Sequence, residues 1–307
     1  MKYLLPMGAM LPLCLSHCTC PDDYRQVPQP HATTVAQVQA LSDCQIHHYG
    51  TTLLADAPGP EVARALLERG AQPVGKIIRN GQIETGSAIA QTDNARVMRV
   101  LLDAGADANV GGGSTHRNAL CSAAATGNTQ AVSLLLDSGA DPNRVDSRGE
   151  SPLYLAATNM HTDACNLLLT HGAPPDYGRT ADGESPLMGV LKSGADQAQK
   201  IAIAQALLAG GADPLQADAD GNTPLHYAPA ELVPTLLAAG ANVQARNYMG
   251  RTPLFCCNDL LQAQALIEAG ADMNTTDYQG NKPFDIITNA QVKSYLLIRG
   301  AGGGSHY

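Results

Sequence analysis

The chain has 307 residues, of which 44% are hydrophobic but only 4% aromatic, with no Trp and two Phe. A core of this size without large rings has to come from Ala and Leu packed closely between helices. Its 19 Lys and Arg against 28 Asp and Glu give a formal charge of −9, which excludes phosphate-backbone binding as a main activity, because that needs a basic surface.

Met1-Lys2 and the uncharged, mainly apolar run Tyr3 to Leu15 have the shape of a short secretory leader, predicted over residues 1–20. Leu15-Ser16-His17-Cys18 resembles a bacterial lipoprotein processing site, which would make Cys18 the lipidated residue, although His17 departs from the small residue that pattern wants. Export follows as the expectation (periplasmic, outer-surface or secreted), with a cytoplasmic location if the leader does not function. Residues 21–32 are proline-rich and polar and read as a linker. No apolar stretch of eighteen residues lies in the body, so no internal membrane span is predicted. Val35, Val38, Leu41 and Cys44 recur at three-residue steps behind Thr33 and Thr34, which predicts a capping helix over 33–47.

From residue 48 to residue 301 the chain repeats itself. The phrase Leu-Leu-x-x-Gly-Ala places a glycine at Gly70, Gly105, Gly139, Gly172, Gly211, Gly240, Gly270 and Gly300. Upstream of each stands a Thr/Ser-Pro-Leu-like start, clear at Ser151, Ser185, Thr223 and Thr252 and weaker at Thr52, Thr85, Asn118 and Lys282. One unit shows the physics. Ser151 is a helix N-cap, Pro152 takes the first helical position, and Leu153, Ala156 and Ala157 give a small packing face. A second helix follows from Asp163 to Thr170 with Leu167, Leu168 and Leu169 turned inward, and Gly172 ends it in a left-handed conformation. Residues 176–183 then run out and back as a finger closed by Asp182-Gly183.

These eight units resemble the ankyrin repeat, with the full start Thr223-Pro224-Leu225-His226 and the ending Gly-Ala-Asp kept at Gly105, Gly139, Gly211 and Gly270. The resemblance implies an all-α solenoid of paired antiparallel helices with β-turn fingers, and a structural role for His226 in tying neighbouring turns. Start-to-glycine distances are 18, 20, 21, 21, 26, 17, 18 and 18 residues. Units one, six, seven and eight are therefore short by about one helical turn, predicting a clipped turn between their helices. Unit five carries an excess at 191–200, predicting a solvated bulge. Val292 to Ile298 is the second helix of unit eight, and residues 302–307 form a loose tail.

Candidate chemistry is thin. Cys14, Cys18, Cys20, Cys44, His47 and His48 cluster near the start and offer soft-metal ligands or a disulfide from Cys44 to Cys18 or Cys20. Cys121, Cys165, Cys256 and Cys257 read as buried thiols acting as small hydrophobes. Gly111-Gly112-Gly113 has no following Gly-Lys-Ser/Thr and is no phosphate loop. No catalytic residue, cofactor or metal site is expected. The resemblance puts recognition on the fingers and first helices, which line a groove in this family. By position the candidates are Arg148, Glu150, Tyr177, Arg179, Glu184, Tyr248, Arg251, Tyr278 and Asn281, Tyr and Arg being frequent interface anchors. The reading is a monomeric, non-enzymatic scaffold for a protein partner. An exported metal- or thiol-redox protein using the N-terminal Cys and His residues is the alternative.

Overall fold

The computed structural model describes residues 29–79, 82–111, 117–178 and 184–300. The leader with Cys18, the linker up to residue 28, Arg179 and the tail lie outside them. Two compact units divide between Ala106 and Asp107.

The first unit holds α1 (Val35–Ala40), α2 (Asp43–Ala55), α3 (Pro60–Glu68), β1 (Val74–Arg79), β2 (Gln82–Ser87), α4 (Ala88–Gln91) and α5 (Ala95–Asp103). The helix predicted over 33–47 is two helices. Thr34 and Ser42 each open a capping box, closed by Gln37 and Gln45, and the chain turns extended at Leu41 between them. Thr52 consequently starts nothing: it lies inside α2 and accepts the Ile78 N–H at 2.8 Å. Thr85 lies in β2, and α4 begins after Ser87. The finger here is a paired antiparallel hairpin, with Gly75 opposite Gly86 and Ile77 opposite Glu84.

The second unit holds α6 (Ala119–Thr126), α7 (Thr129–Asp137), α8 (Pro152–Thr158), α9 (Thr162–Thr170), α10 (Pro186–Lys192), α11 (Gln197–Ala209), α12 (Pro224–Tyr227), α13 (Val233–Ala238), α14 (Leu260–Glu268), α15 (Pro283–Ile286) and α16 (Ala290–Ile298), with 3₁₀ turns at Ala230–Leu232 and Pro253–Cys256. Asn118, Ser151 and Ser185 cap α6, α8 and α10 by accepting N–H groups three residues on. The core is Leu and Ala: Leu120, Leu135, Leu153, Leu168 and Leu187 are fully buried. Of the three leucines of α9 only Leu168 goes fully inside, while Leu167 and Leu169 are half-buried, because three consecutive residues span too much of a helix circumference to share one face.

All eight repeat glycines adopt φ between 81° and 104°, where a side chain costs about 1 kcal/mol or more. In seven repeats the following Ala N–H returns to the Leu carbonyl five residues earlier, as Ala173 does to Leu168 at 3.0 Å. That bond satisfies a helix-end carbonyl and explains why the Leu-Leu-x-x-Gly-Ala phrase persists.

The length differences fall elsewhere than predicted. In units six, seven and eight the missing turn comes out of the first helix, which shrinks to the four residues of α12, Pro253–Cys256 and α15, against seven in α8 and α10. The start cap and the final glycine both make bonds that a deletion would break, so the first helix's free C-terminal turn is what gives. The unit-five excess is only partly a bulge. Residues 193–196 form the loop, and the remainder extends α11 to 13 residues, against nine in α9.

Candidate functional site

Four fingers of the second unit are built alike. The Oδ1 atoms of Asp146, Asp218, Asn247 and Asp277 each accept N–H groups two and four residues on. The N–H of each of these residues returns to the carbonyl four on. Side-chain oxygen and backbone together lock a tight tip, closed by a glycine of positive φ such as Gly221 or Gly250.

Two tips carry tyrosines. Tyr248 N–H donates to Asp220 C=O and Tyr278 N–H to Met249 C=O, both at 3.0 Å, so each finger hangs on the one before it. Each ring lies across the preceding tip's glycine. A Cβ on Gly221 would come within 2.8 Å of Tyr248 Cδ1, and one on Gly250 within 2.8 Å of Tyr278 Cδ1. The glycines are required twice over, for φ and for the ring. Despite this seating both tyrosines remain 73% exposed.

Tyr177 is different. It stands eight residues before its helix cap, Ser185, whereas Tyr248 and Tyr278 stand four before Thr252 and Lys282. It is therefore at the finger base, 48% exposed, with its carbonyl accepting from Ser151 Oγ at 2.8 Å. Arg148 is exposed at a tip. Glu150 is turned inward, 14% exposed and paired with Arg117 at 3.4 Å, which also binds Asp146. Arg251 pairs with Asp277 at 3.2 Å, and Asn281 Nδ2 donates to the same carboxylate. Glu184 pairs with Lys192. The structure brings Tyr248, Tyr278, Arg251 and Asn281 onto adjacent fingers, with the first two outward and the last two spent on Asp277.

Met249, beside Tyr248, and Leu215, on the finger before it, are both largely exposed and were missed by the sequence reading. Aligning each finger on its Asx residue would have put Met249 at a tip. Also missed was a polar network at the unit-five to unit-six step. Tyr227 OH donates to Asp218 at 2.8 Å, Asn222 donates to Tyr227 OH, and Lys192 sits 5.4 Å over the Tyr227 ring. Burial and the Asp218 bond push Tyr227 up to about 12. Burial alone would raise Asp218, but bonds from Tyr227, Asn222 and Asp220 hold it below the ordinary carboxylate range. The hydrogen bond to Glu184 raises Lys192. This constellation fixes charges in place and leaves no group poised to transfer a proton near neutrality.

The thiols are similarly quiet. Burial pushes Cys121 and Cys165 up to about 12 and raises Cys256 and Cys257, and all four are free. Cys44 is disulfide-bonded. Among the described residues no group of three or more His, Cys, Asp or Glu side chains is placed to hold a metal ion. No helix among them is long and apolar enough to cross a membrane.

The family described as ankyrin repeats (3 copies) matches residues 87–179 and 194–277. Among curated proteins the chain is similar to the E3 ubiquitin-protein ligase KEG of Arabidopsis thaliana, 27% identical over 48% of this chain and 12% of that protein. It is also similar to the ankyrin repeat protein OPG189 of Variola virus, 24% identical over 47% of this chain and 26% of that protein. The chain thus spans an eighth to a quarter of these relatives. Among solved structures, the human ASB11 ankyrin repeat domain superposes with a TM-score of 0.56 at 22% identity, covering 68% of this chain and 95% of that one. The ankyrin repeat domain of Bcl-3, a member of the IκB family, gives 0.55 at 25% identity, covering 67% and 92%.

Proposed function

The chain belongs to the ankyrin-repeat family, whose repeats are in general protein–protein interaction modules, and on that premise we propose that it is a non-enzymatic, monomeric scaffold holding a protein partner on the fingers and first helices of residues 117–300. The observation that carries the proposal is the pair Tyr248 and Tyr278, each seated on a glycine yet largely exposed. An aromatic ring held in one orientation loses little entropy on binding, which is what makes tyrosine an effective anchor. Arg148 and Tyr177 are further exposed candidates. Arg251, Asn281, Glu150 and Glu184 support it from behind through their bonds within the chain. The likeness to the plant ligase covers a small part of that protein, so no ligase activity is carried over.

The test is a photo-crosslinker placed at Met249 to capture the partner in the native cell, followed by binding measurements on the Tyr248→Ala/Tyr278→Ala double variant. The proposal expects a loss of affinity of at least about tenfold, the size of a modest interface anchor, at an unchanged melting temperature. Equal affinity in wild type and variant removes these residues from the interface.

The proposal extends to export. It is supported by the leader-like run over 1–20 and by the Cys44 disulfide, a bond that persists in oxidising compartments. Intact mass of the protein from its native cell tests leader removal and lipid on Cys18 together.

A further inference from the structure

The first unit contains a cavity that the interaction reading does not use. It lies between α2 and β1, has a volume of about 420 Å³, and is lined by His47, His48, Thr51, Gln72 and Lys76 with the Val74–Lys76 backbone. Its size is that of small-molecule sites.

The strand edge facing it is held open by two clamps. Thr51 Oγ1 donates to Gln72 C=O and Ile78 N–H donates to Thr52 Oγ1, each at 2.8 Å. These clamps turn the even-numbered peptide groups of β1 towards α2, while Gly75 and Ile77 face β2. Val74 and Lys76 lie between the clamps, and among the described residues their outward N–H and C=O groups have no partner. Gly75 is what lets the strand come this close, since a Cβ there would stand 2.7 Å from Thr51 Oγ1.

The charges around the cavity are one-sided. The chain as a whole carries nine more acids than bases, yet among the described residues no carboxylate lines this space. Glu84 is paired opposite Ile77 and therefore projects from the other face of the hairpin to Lys76. Asp43, nearby in sequence, is held by Arg69 at 3.0 Å. Among the described residues neither the Lys76 ammonium nor the His47 ring has an ion-pair or hydrogen-bond partner, and the His47 ring meets His48 edge-on at 5.1 Å between centroids. The exposed Lys76 ammonium, the exposed His47 imidazole and the unpaired Lys76 N–H line one space, and each can donate to an oxyanion.

We propose that this cavity binds a carboxylate or phosphate group, taken by Lys76, His47 and the Lys76 N–H. The group could belong to a free small anion or to an acidic side chain of a polypeptide. Three probes separate these: inorganic phosphate, succinate and an N-acetylated tri-glutamate peptide, each titrated at constant ionic strength into the ¹⁵N-labelled full chain. At least one should give saturable shifts at the Val74 and Lys76 amides, with a Kd below about 10 mM. Lys76→Ala and His47→Ala should each weaken it by at least about tenfold, while Lys76→Arg, which keeps the charge, retains it. Saturation by phosphate or succinate but not by the peptide assigns a free anion, and tighter binding of the peptide assigns an acidic segment. The proposal is overturned if no probe saturates, or if Lys76→Ala binds like wild type while melting at the same temperature.

Discussion

At the residue scale, one task is carried out by three different side chains. In three repeats a side chain of the first helix's opening turn reaches the carbonyl of the next finger. His226 does so through Nε2 to Arg251 C=O at 3.1 Å, with Nδ1 held by Thr223. Cys121 Sγ reaches Arg144 C=O at 3.4 Å, and Ser151 Oγ reaches Tyr177 C=O directly from the cap. Phe255, in the same place in unit seven, has no polar atom, and the Thr252 hydroxyl beside it is buried without a partner. One substitution should therefore have opposite signs one repeat apart. Thr223→Val removes the hydroxyl bond to His226 while keeping the backbone one and should cost about 1 kcal/mol, whereas Thr252→Val removes an unpaired hydroxyl and should be neutral or stabilising by up to about 1 kcal/mol. Urea unfolding of both variants decides it. His226 adds a pH signature. Burial lowers its folded-state pKa below 6.5, so on acidification the unfolded chain takes the proton first. Stability should fall as pH drops below 6.5 and level off once the folded imidazole also protonates. In His226→Gln that part of the pH dependence should vanish from melting curves.

At the element scale, most second helices keep nine residues, as α7, α9, α14 and α16 do, while the first helices range from seven or eight residues down to a single turn. Where the first helix is a single turn, as in α12 and α15, it has few internal hydrogen bonds and leans on its Pro and its cap. Amide exchange at 224–227 and 283–286 should therefore run faster than at 119–126 and 152–158, by at least about tenfold if opening is local. Equal protection would mean that neighbouring contacts, and not helix length, set the opening energy. The same contrast explains what could be read in advance. The Leu-Leu-x-x-Gly-Ala ends were legible because the left-handed glycine and its carbonyl bond admit few substitutes. The starts of units one and two were not, because α2 is opened by Ser42 with Gln45, a capping box ten residues upstream of the Thr that mimics a repeat start. Among the candidate residues, exposure of Tyr248 and Tyr278 follows from their place at a tip. That Glu150 and Arg251 are engaged by Arg117 and Asp277 could not be read, since those partners lie 33 and 26 residues away.

At the scale of the whole molecule, each repeat of an array buries its neighbour's apolar side, and stability is close to a sum of repeats and interfaces. In the last described repeat one apolar side stays uncovered by the described residues. Ile298 is 84% exposed and Leu297 largely so, while Val292 and Leu296 on the same helix are fully buried against the repeat before. Apolar side chains bared at a helix end contribute nothing to the fold they belong to and invite association. Ile298→Lys should thus be tolerated. It removes no buried area, and it places a cation in the last turn of α16, where the helix dipole favours positive charge by about 0.3–1 kcal/mol. The melting temperature should stay within about 3 °C, the shift that 1 kcal/mol produces in a chain of this size, and light scattering at high concentration should show less self-association than wild type. A large loss of stability would mean that Ile298 is covered in the folded protein, and that a further part of the chain packs on this face as one more repeat would.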